Sequence, residues 1–533
     1  STGSHNFAAG ASALCSNDDS SGNTAIGCQA LLNNTTGNFN IGIGNHALCC
    51  NTTAQCNIAM GPCSLRNNSS GSSNVALGVM TLCNNCCGNN NIALGPSAMR
   101  CATCSSNNVA LGSEVLCHVS TGAHNYGIGQ NALRSNTTGS QNFAVGASAL
   151  ICNTTGSNNV AIGVNALKDN TCGNLNTAIG CLTLFKNTEG CNNTAIGAFA
   201  LCNNTTGCCN VSIGSNTMTS NTTGTRNVAI GAQILTSNTT GSCNVALGMQ
   251  SLLCNVDGTH NFAAGNVTLF KNVSGSNNFA AGNVAGCGII GGCHNFAVGS
   301  NTLQCNKYGN GNIAAGFIAG QKITGNHNIA FGQQSLQNVT TANSNIGIGC
   351  LTLFGCSDGA TGGCNVSVGL GGLCSLTTGC CNIAIGCFPL ACNSSGCSNI
   401  GIGTFALFGN TSGYRNVAIG DNSLRCNTEG EYNVALGYLG LTCNTTGGCN
   451  VAVGKEVMKC NDTGHSNVAL GHCTMFFNVS GDHNIAIGSN AIKTGTRGCC
   501  QIALGQDALN KSCGNFNIAF GSQALKNNTT GTN

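Results

Sequence analysis

The residues with the most reactive chemistry in this chain of 533 are its 41 cysteines. Twenty-nine of them fall in two short windows that bracket a recurrent N-x-T-G loop. Several pairs have the spacing C-x5-C: Cys50/Cys56, Cys202/Cys208, Cys287/Cys293, Cys374/Cys380 and Cys443/Cys449. Others stand eleven residues apart: Cys191/Cys202, Cys243/Cys254, Cys381/Cys392 and Cys449/Cys460. A loop whose ends lie side by side satisfies both spacings, so disulfides are expected either to close a loop or to join neighbouring turns. The two sets share residues, so connectivity stays open, with stacked free thiols acting as small hydrophobes as the alternative. A reducing cytosol would leave so many thiols open to oxidation. The count therefore points to a surface or extracellular destination.

Other reactive patterns are sparse. N-x-T/S tripeptides recur in the loop, at Asn34, Asn136, Asn221, Asn238 and Asn444 among others, and match the N-glycosylation acceptor. The same tripeptide also suits a turn whose Asn and Thr side chains cap the backbone. The 14 acidic residues are scattered, and the close pairs Asp18/Asp19 and Glu429/Glu431 lie in loops. No two carboxylates recur at a spacing that would make a glycosidase pair, which disfavours a tailspike-type depolymerase. His5, His124, His260, His294 and His483 share one position of the repeat but sit far apart along the chain. Calcium-binding nonapeptides, a phosphate-binding glycine loop and C-x-x-C-H are all missing from the sequence. The expectation is a protein that is not an enzyme, with no catalytic residues, no cofactor and no metal site. The formal charge of +3 without a basic run argues against nucleic acid as a partner. No apolar run approaches the roughly 18 residues of a membrane span, and no charged-then-apolar signal segment opens the sequence.

These residues are positioned by one repeat. The motif N-V-A-I-G and its variants return with a step of 17, their Gly falling at Gly10, Gly27, Gly44 and onward to Gly521. Steps of 16 end at Gly332 and Gly521, and a step of 20 ends at Gly369, which places three extra residues near 358–363. Counting from that Gly as zero, the consensus is Asn (−4), Val/Ile/Phe (−3), Ala (−2), Ile/Leu/Val (−1), Gly (0), a small residue (+3), Leu (+4) and N-x-T-G (+7 to +10). A 17-residue unit cannot bury its own face, whereas stacked units can. The sequence thus predicts an all-β, parallel β-solenoid or β-roll of about 31 coils, one continuous array over 1–533 with no separate domain. At about 4.8 Å per coil it would form a rod of roughly 150 Å.

Within each coil, −3 and −1 are apolar, alternate with a small residue, and vary in size together. Phe7, Phe262 and Phe279 are each followed two residues later by Ala, whereas Phe331 and Phe520 follow Ile. That pattern predicts −3 and −1 facing inward with Leu at +4, and Ile290 and Ile323 substituting where +4 is Gly286 or Gly320. The Asn at −4 is expected to form an amide ladder along the stack, and the Gly at zero to adopt positive φ or a close backbone approach. Position −2 would then face outward. Its restriction to Ala, Gly or Ser marks it as an assembly face, represented by Ala76, Ala229 and Ala418. Ser1 and Asn533 both fall in mid-repeat, so either a longer fibre or head-to-tail stacking of chains is expected.

The unit N-x-A-I-G-x-x-A-L-x-x-N-T-T-G-x-x is similar to the repeats of phage and giant-virus fibre proteins. Its N-V-A-I-G core resembles the head repeat of trimeric autotransporter adhesins, in which three chains pack side by side. The resemblance implies a structural fibre or filament at a cell or virion surface. Its partner would be other copies of itself, arranged end to end or as a lateral trimer. Two alternative functions are an adhesin that binds a host-surface receptor or glycan through a loop such as the insertion near Asp358, and an ice-binding solenoid presenting paired Thr (Thr35/Thr36, Thr205/Thr206).

Overall fold

The computed structural model describes residues 3–531; Ser1 and Asn533, on which the mid-repeat ends rest, lie outside them. The chain forms two compact units, Ser1–Asn261 and Phe262–Asn533. Each is a parallel β-solenoid with one strand per coil and, among the described residues, no helix. The first unit holds fifteen strands, from Phe7–Ala9 to Val245–Leu247, and the second sixteen, from Phe262–Ala264 to Ile518–Phe520.

Most strands are three residues long and pair with the same three positions one repeat later: Thr24, Ala25 and Ile26 lie beside Ile41, Gly42 and Ile43. The remaining fourteen positions of a coil are turns, yet their backbone groups are also bonded from coil to coil. Leu31 N–H donates to Ala47 (3.0 Å), Thr35 to Thr52 (3.0 Å) and Ile41 to Asn57 (2.8 Å), while Gly44 donates back to Ile26 (2.7 Å). Hydrogen bonding along the stack therefore runs around the whole circumference, which satisfies backbone groups that a short strand alone would leave bare.

That circumference turns sharply at several points per coil. The Gly at zero has φ near 130°, and a Cβ on Gly27 would lie 2.6 Å from the carbonyl oxygen of Gly44. Both expectations for this glycine hold. Non-glycine residues also occupy left-handed conformations, at +2, +4 and −5: Gln29 (φ 55°), Leu31 (φ 52°) and Phe39 (φ 58°) are one such set. Ladder bonds to the coils on either side hold this geometry, which isolated residues adopt only at a cost.

The strand faces are the reverse of the sequence-based expectation. From the second coil onward position −2 is buried, including Ala76, Ala229 and Ala418, while Ile230 at −1 is 42% and Ile92 at −3 is 41% exposed. Alternation along a strand puts −4 and −2 on one face. The amide at −4 is inside, so −2 must be inside too, and the assembly face assigned to Ala76, Ala229 and Ala418 does not exist on the surface. The size limit comes from the interior. A Cβ on Gly42 would approach Leu31 Cγ to 3.4 Å, and one on Gly127 would collide with Val115, a larger side chain than usual at +3.

The interior is thus built from −4, −2, +3, +4 and +7. Leu31 and Leu133 are fully buried, as expected for +4. Where +4 is Gly286, Ile289 fills the gap rather than Ile290, and Ile323 does so at Gly320. The three-residue insertion bulges outward at Ser357 and Asp358 and rejoins the stack at Ala360, which bridges to Val339 and is buried.

Candidate functional site

Two columns of buried amides run through each unit. In the first, at −4, the Asn Oδ1 accepts from the next Asn along the stack through both its backbone N–H and its side chain. Asn57 donates to Asn40 Oδ1 through N (3.0 Å) and Nδ2 (3.2 Å), and Asn57 Nδ2 also reaches the Gly71 carbonyl (2.9 Å). Gln501 replaces Asn once and keeps the backbone bond, to Asn484 Oδ1 at 2.9 Å.

The second column, at +7, is made of the residues that match glycosylation acceptors. Asn34, Asn136, Asn221, Asn238 and Asn444 are fully buried. Asn34 Nδ2 donates to Ser20 Oγ and to the Gly37 carbonyl, both at 2.9 Å, and Asn34 Oδ1 accepts from Asn51 Nδ2 at 2.7 Å. Asn221, Asn238 and Asn444 donate in the same way to Asn204, Asn221 and Asn427, each at 2.8 Å. Asn136 Nδ2 reaches the Gly139 carbonyl at 2.9 Å. The nitrogen that would carry a glycan is enclosed and engaged, which corrects the glycosylation assignment. The neighbouring Thr at +8 is committed as well: Thr205 and Thr222 hydroxyls each donate to the carbonyl one coil on, at 3.1 Å.

The thiols also differ from expectation. Among the described residues one disulfide forms, Cys87–Cys104, between the same position of adjacent coils, with Cα atoms 4.9 Å apart. The thiols of Cys50, Cys56, Cys191, Cys202, Cys208, Cys243, Cys287, Cys293, Cys374, Cys380, Cys381, Cys392, Cys443, Cys449 and Cys460 are unbridged, so neither the C-x5-C nor the eleven-residue staples are present. Cys254, the eleven-residue partner of Cys243, forms no bridge with it. The coil spacing explains this. A residue's neighbour across the stack is 17 positions away at a Cα distance suited to a disulfide. Cys380 and Cys397 follow that rule with Sγ atoms 3.0 Å apart. The hydrogen bond that the Cys380 thiol donates to Cys397, followed by burial, pushes Cys380 up to about 12. Burial likewise raises Cys202, Cys287 and Cys374 above the ordinary thiol range.

His5, His124, His260, His294 and His483 are exposed in left-handed turns at −5. Two other histidines stand in mixed clusters. Cys101, Cys117 and His118 bring one ligand atom each within 4.8 Å of one another, and so do Glu456, His472 and Cys473. Both groups have the spacing i, i+16, i+17, which reading along the chain conceals and the 17-residue step exposes.

On the outside, −3 and −1 form an apolar stripe. The rings of Phe262 and Phe279 stack at 4.7 Å, and those of Phe279 and Phe296 at 5.0 Å. The fold and these columns define a parallel β-solenoid repeat protein with an amide-laddered core. Among the described residues no helix is long and apolar enough to cross a membrane. No protein-family model matches the chain, and no curated protein matches it in sequence.

Proposed function

We propose that the chain is a structural building block without enzymatic activity, which associates with copies of itself into a fibre or filament of an extracellular or virion surface. The observation that carries this reading is the division of labour within a coil. Backbone and amide bonding is closed from coil to coil, while the outer strand face is left apolar, with Ile162, Ile230 and Ile419 between 36% and 42% exposed. A row of half-exposed Ile, Val and Phe side chains is suited to lateral association. Coil-on-coil hydrogen bonding, rather than a disulfide framework, supplies the rigidity. The surface destination rests on the resemblance to fibre and adhesin-head repeats.

The test is the assembly state of the full chain by light scattering and electron microscopy. The wild type should assemble, and Ile230→Lys combined with Ile419→Lys should yield dispersed, folded chains. A wild type that stays monomeric at high concentration overturns the reading.

A second reading, binding of a receptor or glycan, is favoured by one feature. The insertion exposes Ser357 and Asp358, and Lys322 Nζ donates to the Ser357 carbonyl at 3.4 Å. A glycan array with and without residues 357–359 tests it. In the paired Thr that an ice-binding reading would use, the +8 hydroxyls are spent on backbone carbonyls, and only the +9 members, such as Thr36 and Thr206, remain exposed.

A further inference from the structure

Cys473 lies at the centre of a group that neither the repeat nor the structural role explains. Its Sγ is 3.4 Å from Glu456 Oε2 and 3.4 Å from His472 Nε2. Cys473 itself is 6% exposed, while His472 is exposed and Glu456 half-buried at the mouth of the group. Glu456 and Cys473 occupy position +2 of successive coils, both left-handed, at φ 56° and 54°. The coil step alone brings them together.

The backbone around them is fixed from both sides. Cys473 N–H donates to the Lys455 carbonyl (3.1 Å), and Asn490 N–H donates to the His472 carbonyl (2.9 Å). A thiolate, an imidazole and a carboxylate are the ligand types of zinc. Bond lengths of about 2.0–2.3 Å at tetrahedral angles place neighbouring ligand atoms roughly 3.3–3.6 Å apart. The two contacts made by Cys473 have that length before any ion is added.

We propose that Glu456, His472 and Cys473 form a binding site for a zinc-class divalent cation, with water completing the tetrahedron. Binding transfers the Cys473 thiol proton to solvent and forms a metal–thiolate bond, with no change of oxidation state. The charges of Glu456 and the thiolate balance the ion. Lys459 stands 3.9 Å from Glu456 Oε1, the oxygen not turned toward Cys473, so it does not block the site. The second cluster is less suited: the Arg100 guanidinium acts on both Cys101 and Cys117, and its positive charge competes with a cation for their thiolates.

The test is a Co2+ titration of the full chain, reduced with a phosphine, beside His472→Ala and Cys473→Ser. The many other thiols contribute equally to all three samples, so the difference spectrum isolates this site. Wild type minus either variant should show tetrahedral d–d bands and a thiolate-to-cobalt charge-transfer band equivalent to one ion per chain, abolished by Zn2+. Glu456→Gln should retain the bands and weaken binding about tenfold or more. His472 is exposed, so its variant preserves the fold and keeps the test decisive if Cys473→Ser does not. A difference spectrum without these bands overturns the proposal.

Discussion

The two amide columns use the same residue, are equally buried, and follow different rules. At −4 the column is Asn in every coil except for Gln501. At +7 it is interrupted by Ala102 and Val119 in the first unit, and in the second by Ile289, Ile323, Val339, Leu376, Gly495 and Ser512, all of them buried, and by Cys356 in the coil that carries the insertion. The difference lies in what the side chain holds. At −4 each Oδ1 accepts a backbone N–H of the next coil, so losing the side chain orphans main chain. At +7 the backbone N–H is satisfied within its own turn by Asn and by an apolar residue alike: Asn34 donates to Leu31, and Val119 to Leu116, both at 3.2 Å. The +7 amides bond mainly one another and a Gly carbonyl that −4 also serves. An apolar plug can replace them, at the price of one unpaired atom where a run ends, as at Asn85 Oδ1 ahead of Ala102.

The sharpest way to break this contrast is Asn142→Ala at −4. It removes the acceptor of Asn159 N–H, now bonded at 3.1 Å, inside a closed core. The expected local cost is about 2–4 kcal/mol, read as faster hydrogen exchange in the coils around 125–159. Asn153→Val at +7 should cost about 1 kcal/mol by the same measurement, because only the bonds to Asn136, Gly156 and Asn170 are lost. Equal effects of the two substitutions would erase the distinction between the columns.

The smallest effect concerns thiol titration. Cys380 keeps its proton in the folded coil up to about 12, while an unfolded chain loses it near 9.0. Above pH 9 the unfolded state binds fewer protons, so its contribution to stability is intact below about 9 and fades as pH rises toward about 12. Cys380→Ser should make the melting temperature fall less steeply across that window than in the wild type.

Much of this architecture is legible in the sequence. The step of 17, the invariant Gly and the Asn at −4 lead to a parallel solenoid with an amide ladder, and Leu at +4 marks the core. The second ladder is present in the sequence as the same Asn at +7, but there the Asn also begins an acceptor tripeptide, and the tripeptide is the same whether its side chain is exposed or bonded in the core. The cysteine pattern misled for a related reason. Spacings of 6 and 11 are conspicuous along the chain, while partners at 17, such as Cys87 and Cys104, are conspicuous only once coils are stacked.

By itself, then, the sequence determined the period, the parallel stacking and the positions that admit no variation, because a repeated unit must place equivalent residues in equivalent environments. Only the tertiary structure decided which strand face is inside. Alternation leaves two faces, and an apolar row of Val and Ile beside a row of Ala reads naturally as core beside surface. The core of this coil is narrow and lined with amides. The Leu at +4 and the small residue at +3 already fill it, so the strand can contribute only Ala, Gly or Ser, and its larger side chains are turned outward.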